Sequence, residues 1–139
     1  MGDRDKEEYE PVSDEVREEI EDDPYCRKIG IELVDLREGF ARTRLTVTED
    51  DLNFHGIPHG GAIYSLCDAA FAAASNSHGE TAFALETNIS YLSAVEVGTK
   101  LTATARETHL TRRTAEYEIV VTDDKDERVA TFRGRVYRP

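Results

Sequence analysis

Residues 59–77 form the one long segment of this chain with helical periodicity, and the segment is apolar around almost its whole circumference. Apolar side chains recur at helical spacing at Ile63, Leu66, Cys67, Ala70, Phe71 and Ala74. Further alanines at positions 62, 69, 72 and 73 keep the rest of its surface slim. Such a helix must be buried and closely wrapped by other elements, which limits the folds open to the chain.

Strand-like segments of alternating apolar and polar residues flank this helix on both sides. They span residues 31–36, 40–48, 83–92, 100–109, 114–122 and 129–137. Glu38-Gly39 and Asp123–Asp126 predict hairpin turns. A long antiparallel sheet covers one helix by curling around it. We therefore predict an α+β fold, with one central helix wrapped by a curved antiparallel sheet. A short N-terminal helix is predicted between a Ser13 cap and Asp23-Pro24.

The acidic charge of the chain is concentrated at its N-terminus. The formal net charge is −12, of which residues 1–24 carry −9. This predicts an acidic, flexible tail over residues 1–12, followed by a single domain over residues 13–139. It also argues against nucleic acid as a partner. Acid-rich composition with only four lysines is typical of a salt-adapted, halophilic host.

Cysteine usage and the first residues bear on the compartment. Cys26 and Cys67 make no disulfide framework, and Cys67 falls in the apolar helix, where we predict a buried, inert thiol. The charged N-terminus lacks the apolar segment of a secretory signal. No apolar run approaches the roughly 20 residues that span a bilayer. We expect a cytoplasmic protein with no membrane partner.

The start of the helix has the chemistry of an anion site. Gly60 and Gly61 remove Cβ atoms where the chain enters the helix, so a ligand can approach the free N–H groups of the first turn. These groups and the helix dipole suit the oxyanion of acyl transfer. The alternative is that the glycines only let the helix pack tightly against a strand.

Asp68 places a carboxylate on the body of this apolar helix, as a candidate base or nucleophile. A solvent-facing residue without a role is the alternative. Gly60 and Asp68 are eight residues apart, so about 12 Å along one axis. A base and an oxyanion donor must both lie near one reacting carbon. If both groups act, two copies of the helix must lie antiparallel in a homodimer, and each copy supplies one group.

The loop before the helix offers further polar groups. Asn53 can donate to a thioester oxygen or hold a water, or it can form a simple Asx turn. His55 and His59 invite a metal-site hypothesis, but Pro58 keeps them off one helical face and no HExxH pattern is present. We expect no metal and no cofactor, and interpret His59 as a residue that hydrogen-bonds and shapes the loop.

These residues, taken together, resemble a known family. The matching positions are Asn53-x-His55-Gly56-Ile57-x-His59-Gly60-Gly61, Leu66-x-Asp68-x-Ala70 and Asn76-Ser77-x-Gly79. They resemble the hotdog-fold acyl-CoA thioesterases of the phenylacetate-degradation type, from about Tyr25 to the C-terminus. The resemblance implies a hotdog dimer, often paired into a tetramer, that hydrolyses acyl-CoA thioesters.

The resemblance also implies roles for individual residues. Asp68 matches the catalytic carboxylate, which acts as base or nucleophile, and Gly60 matches the backbone oxyanion donor. Asn53 and His59 match the residues that orient the thioester and the water. One departure is Ala84, which stands where some relatives carry a Ser or Thr that helps hold the water from the partner subunit.

Substrate-binding residues are less specific. Gly61 belongs to the helix start, and Tyr64, Phe83 and Leu85 are candidates to line an acyl pocket, with plain core packing as the alternative. Arg112 and Arg113 are candidates for the CoA phosphates, since arginine suits phosphate, with solvated strand faces as the alternative.

Three functions fit this pattern. The first is a thioesterase that acts on a small or aromatic acyl-CoA. The second keeps the fold and hydrates an enoyl-CoA, although the Asp/His pair of that sister group is not found here. The third is a non-catalytic acyl-CoA-binding protein, which would release no thiol.

Overall fold

The computed structural model of the chain describes residues 6–139. Helices α1 (Asp14–Glu21) and α2 (Pro24–Ile29) precede strands β1 (Glu32–Arg37) and β2 (Phe40–Thr46). A short 3-10 helix at Glu49–Asp51 leads to α3 (Gly60–Asn76). Then follow β3 (Phe83–Tyr91), β4 (Lys100–Leu110), β5 (Thr114–Thr122) and β6 (Arg128–Tyr137). Within residues 6–139, no helix is long and apolar enough to cross a membrane.

The strands of the described residues form one antiparallel sheet in the order β1-β2-β4-β5-β6-β3. Helix α3 contacts every one of these strands, most extensively β2 and β4. This confirms the predicted architecture of one central helix wrapped by an antiparallel sheet. The connection through α3 carries the chain from β2, near one side of the sheet, to β3 at the opposite edge.

Small residues and one aromatic cluster seat α3 against the sheet. Phe71 lies directly on the backbone of β6, where a Cβ on Gly134 would come within 2.5 Å of the Phe71 ring. Phe71 also contacts Phe132 and Tyr117, with ring centroids 5.7 and 5.9 Å apart. The hydroxyl of Thr43 donates to a carbonyl of α3. A Cβ at position 134 would displace the Phe71 ring, so Gly134 sets how closely α3 packs against β6.

The N-terminal helices differ in part from the prediction. Ser13 caps α1 as predicted, and its hydroxyl accepts from the Val16 N–H at 3.3 Å. Asp23-Pro24 does follow the end of α1, but it also begins α2. The Asp23 carboxylate accepts from the Cys26 N–H at 3.0 Å, and Pro24 occupies the first turn. An N-cap followed by proline is a helix-start signal that the interpretation as a stop overlooked.

Residues 1–5 of the predicted tail lie outside the described residues. Within residues 6–12, the Lys6 ammonium lies 3.0 Å from the Asp35 carboxylate, and the Glu10 carbonyl accepts from the Glu38 N–H at 2.9 Å. The described part of this segment therefore contacts β1 and the β1–β2 turn. The flexibility of the tail stays a prediction.

Strand β3 leaves its apolar side chains uncovered. Phe83, Leu85 and Tyr91 are each about half exposed, at 52%, 54% and 51%. The strand pairs with β6 along one side only, with a register shift between Ala84 and Glu86. A nine-residue edge strand with exposed apolar side chains is an unusual surface for a single chain.

Candidate active site

The first turn of α3 has one backbone donor that remains open. His59 is the N-cap, and its Nδ1 accepts from the Gly61 N–H at 2.9 Å. The Ala62 N–H donates to the His59 carbonyl. No other described residue accepts a hydrogen bond from the Gly60 N–H. Since Nδ1 of His59 accepts, the neutral ring carries its proton on Nε2. His59 therefore caps the helix. Because it accepts from the Gly61 N–H, the Gly60 N–H is the donor that stays free.

Gly60 is also a packing position. The Tyr91 hydroxyl donates to the Gly60 carbonyl at 2.9 Å, and a Cβ on Gly60 would lie 3.1 Å from that hydroxyl oxygen. Tight packing against a strand, the alternative interpretation of the glycines, therefore applies here. It coexists with an open N–H, because Tyr91 occupies the carbonyl side of the residue.

Asn53 organises the loop that approaches this helix start. Its side-chain oxygen accepts from the N–H groups of His55 and Ile57, at 2.9 and 3.3 Å. Its own N–H donates to the Ile57 carbonyl. The Asx turn is therefore present, and within residues 6–139 the side-chain NH₂ donates to no protein group. A carboxamide whose oxygen is fixed and whose NH₂ is free is oriented to donate to a ligand.

Asp68 lies two turns further along α3, exposed at the surface of the chain and without a hydrogen bond or ion pair to any described residue. Part of its carboxyl group is nevertheless shielded from water by neighbouring protein atoms, and this desolvation raises the pKa of Asp68. The nearby charge of Asp23 on α2 raises the pKa further. A carboxylate with a raised pKa is a stronger base than an ordinary aspartate, which suits proton abstraction.

The thiols near Asp68 do not compete with it as nucleophiles. Burial raises the pKa of both Cys26 and Cys67 to about 12, and the Asp68 charge contributes in each case. Cys67 is fully buried and unbonded to another described cysteine, which confirms that this thiol is buried. Both groups are neutral thiols at physiological pH.

The predicted site residues separate into two places in one chain. His59, Gly60 and Gly61 lie at the start of α3, Asn53 lies in the loop that leads to it, and Asp68 lies about 12 Å along the helix axis. Tyr64 faces β3, where its hydroxyl lies 2.6 Å from the Thr87 hydroxyl, and its ring packs edge-on against Phe132.

The remaining candidates lie towards the other end of β3. Phe83 contacts the Tyr137 ring, and Leu85 follows it on the same strand. Arg112 and Arg113 lie in the turn between β4 and β5, where the Arg113 carbonyl accepts from the Arg138 N–H. Tyr91, at the opposite end of β3, is the residue that meets Gly60. A single chain therefore does not bring its substrate-binding candidates to the start of α3, namely Phe83, Leu85, Arg112 and Arg113.

A second polar cluster lies at the far end of α3. Glu107 accepts from the Tyr117 hydroxyl at 2.6 Å and contacts Nε2 of His78 at 2.8 Å. The hydrogen bond to Glu107 raises the pKa of His78. Burial raises the pKa of Glu107, but the hydrogen bonds from His78 and Tyr117 outweigh it and leave that pKa lowered. This cluster ties the end of α3 to β4 and β5 and is separate from the helix start.

Among residues 6–139, no group of three or more His, Cys, Asp or Glu side chains is arranged to hold a metal ion. The His55 ring packs at a tilt against the Phe54 ring in the loop, with centroids 4.1 Å apart, and His59 caps the helix.

The chain is similar in sequence and structure to proteins of a known family. Residues 55–130 match the thioesterase superfamily model. The acyl-coenzyme A thioesterase PaaI of Escherichia coli is 40% identical over 118 residues, which is 85% of this chain and 84% of that protein. The structure of the E. coli PaaI protein from the phenylacetic acid degradation operon superposes with a TM-score of 0.85. It is 38% identical and covers 88% of this chain and 89% of that one.

A structure with a bound ligand is also similar. The smu.793 protein of Streptococcus mutans, bound to acetyl CoA, is 28% identical with a TM-score of 0.75. The match covers 78% of this chain and 88% of that chain. The shared architecture with PaaI is the hotdog fold, as the sequence motifs implied.

Proposed function

The chain belongs to the thioesterase superfamily and is a thioester hydrolase, and we propose that it cleaves an acyl-CoA at a site formed by two copies of the chain. The products are the free acid and CoA. The observation that carries this proposal is that an open Gly60 N–H and the Asp68 carboxylate, whose pKa is raised, lie on the same helix. The two are about 12 Å apart, too far to act together on one carbon.

The chemistry divides between the two copies. The Gly60 N–H of one copy binds the thioester oxygen, and the free NH₂ of Asn53 donates to the same oxygen or to the water. In the first route, Asp68 of the other copy removes a proton from water, and this water attacks the carbonyl carbon. In the second route, the Asp68 carboxylate attacks that carbon itself. The C–S bond then breaks, and the CoA sulfur leaves as a thiolate that takes up a proton. In the second route water hydrolyses the acyl-aspartyl intermediate.

The exposed edge of β3 supports the dimer. Antiparallel pairing of β3 with its own copy covers Phe83, Leu85 and Tyr91 and satisfies the open edge. It also brings the Phe83 end of one strand beside the Tyr91 end of the other. Arg112 and Arg113 of the second copy then approach the helix start, where arginines can bind the CoA phosphates. Two such dimers pair into the tetramer that we propose.

The similar proteins narrow the substrate class. A relative from the phenylacetic acid degradation operon and one whose structure is bound to acetyl CoA support a small or aromatic acyl group. The two free cysteines fit a reducing compartment, so we place the activity in the cytoplasm.

A panel of acyl-CoA esters with thiol detection tests the function, together with the solution mass of the protein. We expect thiol release from short and aromatic acyl esters by a dimer or tetramer. Loss of enoyl absorbance without thiol release would instead identify a hydratase, and binding of CoA esters without turnover would identify a non-catalytic binding protein. Full turnover by a stable monomer would contradict the two-copy site.

The charge of Asp23 predicts the pH dependence of the reaction. Removing a negative charge near a carboxylate lowers its pKa, so Asp23→Asn should move the acid limb of kcat/KM to lower pH. Activity needs ionised Asp68, so it is present above the Asp68 pKa and falls as the pH drops through it. Asparagine still caps α2, which keeps the helix in place. A matched Asp124→Asn variant removes the same charge from the exposed turn between β5 and β6 and should leave the limb unmoved.

A further inference from the structure

We infer that the cavity between α1, α2 and α3 receives the acyl group and that its acidic rim excludes acyl groups that end in a carboxylate. This rests on the proposed thioesterase function and adds the location and chemistry of acyl selection. Phe83 and Leu85 of β3, the acyl-pocket candidates from the sequence, do not line this cavity.

The cavity has the size and lining of a small-ligand site. Its volume is about 550 Å³, within the range of about 300–1,000 Å³ typical of such sites. Three alanines of α3 form one wall, and apolar side chains of α1 and β1 face them: Ala69, Ala72, Ala73, Val16, Ile20 and Leu33. Because alanine side chains are small, this face of α3 leaves the space open.

The cavity reaches the helix position next to Asp68. Ala69 follows Asp68 directly, and Ala72 lies one helical turn beyond it. Asp23 and Cys26 also line the cavity, and both lie near Asp68: the charge of Asp23 raises the pKa of Asp68, and the charge of Asp68 helps raise the pKa of Cys26. A thioester carbon held at Asp68 therefore has its acyl chain at the mouth of the cavity on the chain that supplies Asp68.

The rim of the cavity is strongly acidic. Six carboxylates line it: Glu19, Glu21, Asp22, Asp23, Glu32 and Glu80. Arg27 also lines it, and its guanidinium forms an ion pair with the Asp22 carboxylate at 3.2 Å. A terminal carboxylate on the acyl chain would meet like charge and find no free cation among the described residues that line the cavity. A methyl or phenyl end meets the alanine wall instead.

Filling the cavity tests its role. Ala72 is exposed on the cavity wall, so Ala72→Leu projects into the space without disturbing the core. We expect kcat/KM for phenylacetyl-CoA to fall at least about 10-fold while that for acetyl-CoA stays within about 2-fold. Ala94→Leu makes the same change at an exposed alanine outside the cavity and should alter neither. Equal loss on both esters, or no loss, would overturn the inference.

Charge selection is tested with a matched pair of six-carbon esters. Hexanoyl-CoA ends in a methyl group and adipyl-CoA ends in a carboxylate, and we expect the wild type to prefer hexanoyl-CoA at least about 10-fold. Glu19→Gln with Glu32→Gln should reduce that preference, and Glu118→Gln, on the outer face of β5, should not. Equal rates on the two esters would overturn the inference. A wild type that releases thiol from none of these esters would refute the proposed function itself.

Discussion

Asp68→Asn is expected to lower kcat/KM for thioester hydrolysis by about 10³-fold or more, because an amide neither takes a proton from water nor attacks a carbonyl. The substitution keeps the shape of the side chain. Asp68 is exposed and makes no hydrogen bond or ion pair with a described residue, so the fold and the thermal stability should not change. Thiol release under saturating and limiting substrate, with a melting curve for each variant, measures both effects.

A control isolates the role of Asp68 from a general loss of charge. Asp124→Asn makes the same change in the exposed turn between β5 and β6 and should retain wild-type activity. Asp68→Asn with unchanged turnover would remove Asp68 from the mechanism. A single turnover of the wild type in ¹⁸O-labelled water tests the nucleophilic role: label in the Asp68 carboxylate means that the aspartate attacked and that water then attacked the aspartyl carbonyl.

The elements of the fold followed from periodicity, because apolar spacing and turn residues are local signals. Thr114–Thr122 was predicted to the residue, and Gly39 and Asp126 take positive φ angles in the predicted hairpin turns. Helix α2 was missed because Asp23-Pro24 carries both a stop and a start signal, and only the packing of the following residues decides between them. The exposure of β3 was also not visible, since an edge strand and a central strand can share one alternating pattern.

The candidate site, like the fold, could be predicted only in part from the sequence. Asn53 lies in the short loop that leads to His59 and Gly60, so this placement was available from the sequence. The environment of Asp68 was not, because Asp23 and Cys26 are more than forty positions away and reach it only through the docking of α2. The acyl cavity depends on that same docking. Long-range packing of a short helix is the part of the site that no local pattern encodes.

Gly60→Pro should reduce kcat by about 10²- to 10³-fold, since it removes the one open N–H of the first turn. Gly60 is the first residue of α3, where proline is well tolerated, and the extended His59 backbone (φ −65°, ψ 136°) suits a residue that precedes proline. The added ring carbon lies near the Tyr91 hydroxyl. Gly60→Ala adds the same carbon and keeps the N–H, so a much smaller loss is expected for it. Equal losses in the two variants would mean that packing, and not the donor, matters here.

Mixing Gly60→Pro with Asp68→Asn then decides whether two chains share each site. Each variant alone is nearly inactive, but a mixed dimer has one site in which an intact Gly60 meets an intact Asp68 from the other chain. Random exchange makes half of the dimers mixed, so about a quarter of wild-type activity should return. If both groups acted within one chain, every site would still lack one of them and no activity would return. Recovery on mixing would therefore require that the helix start of one copy faces the carboxylate of the other.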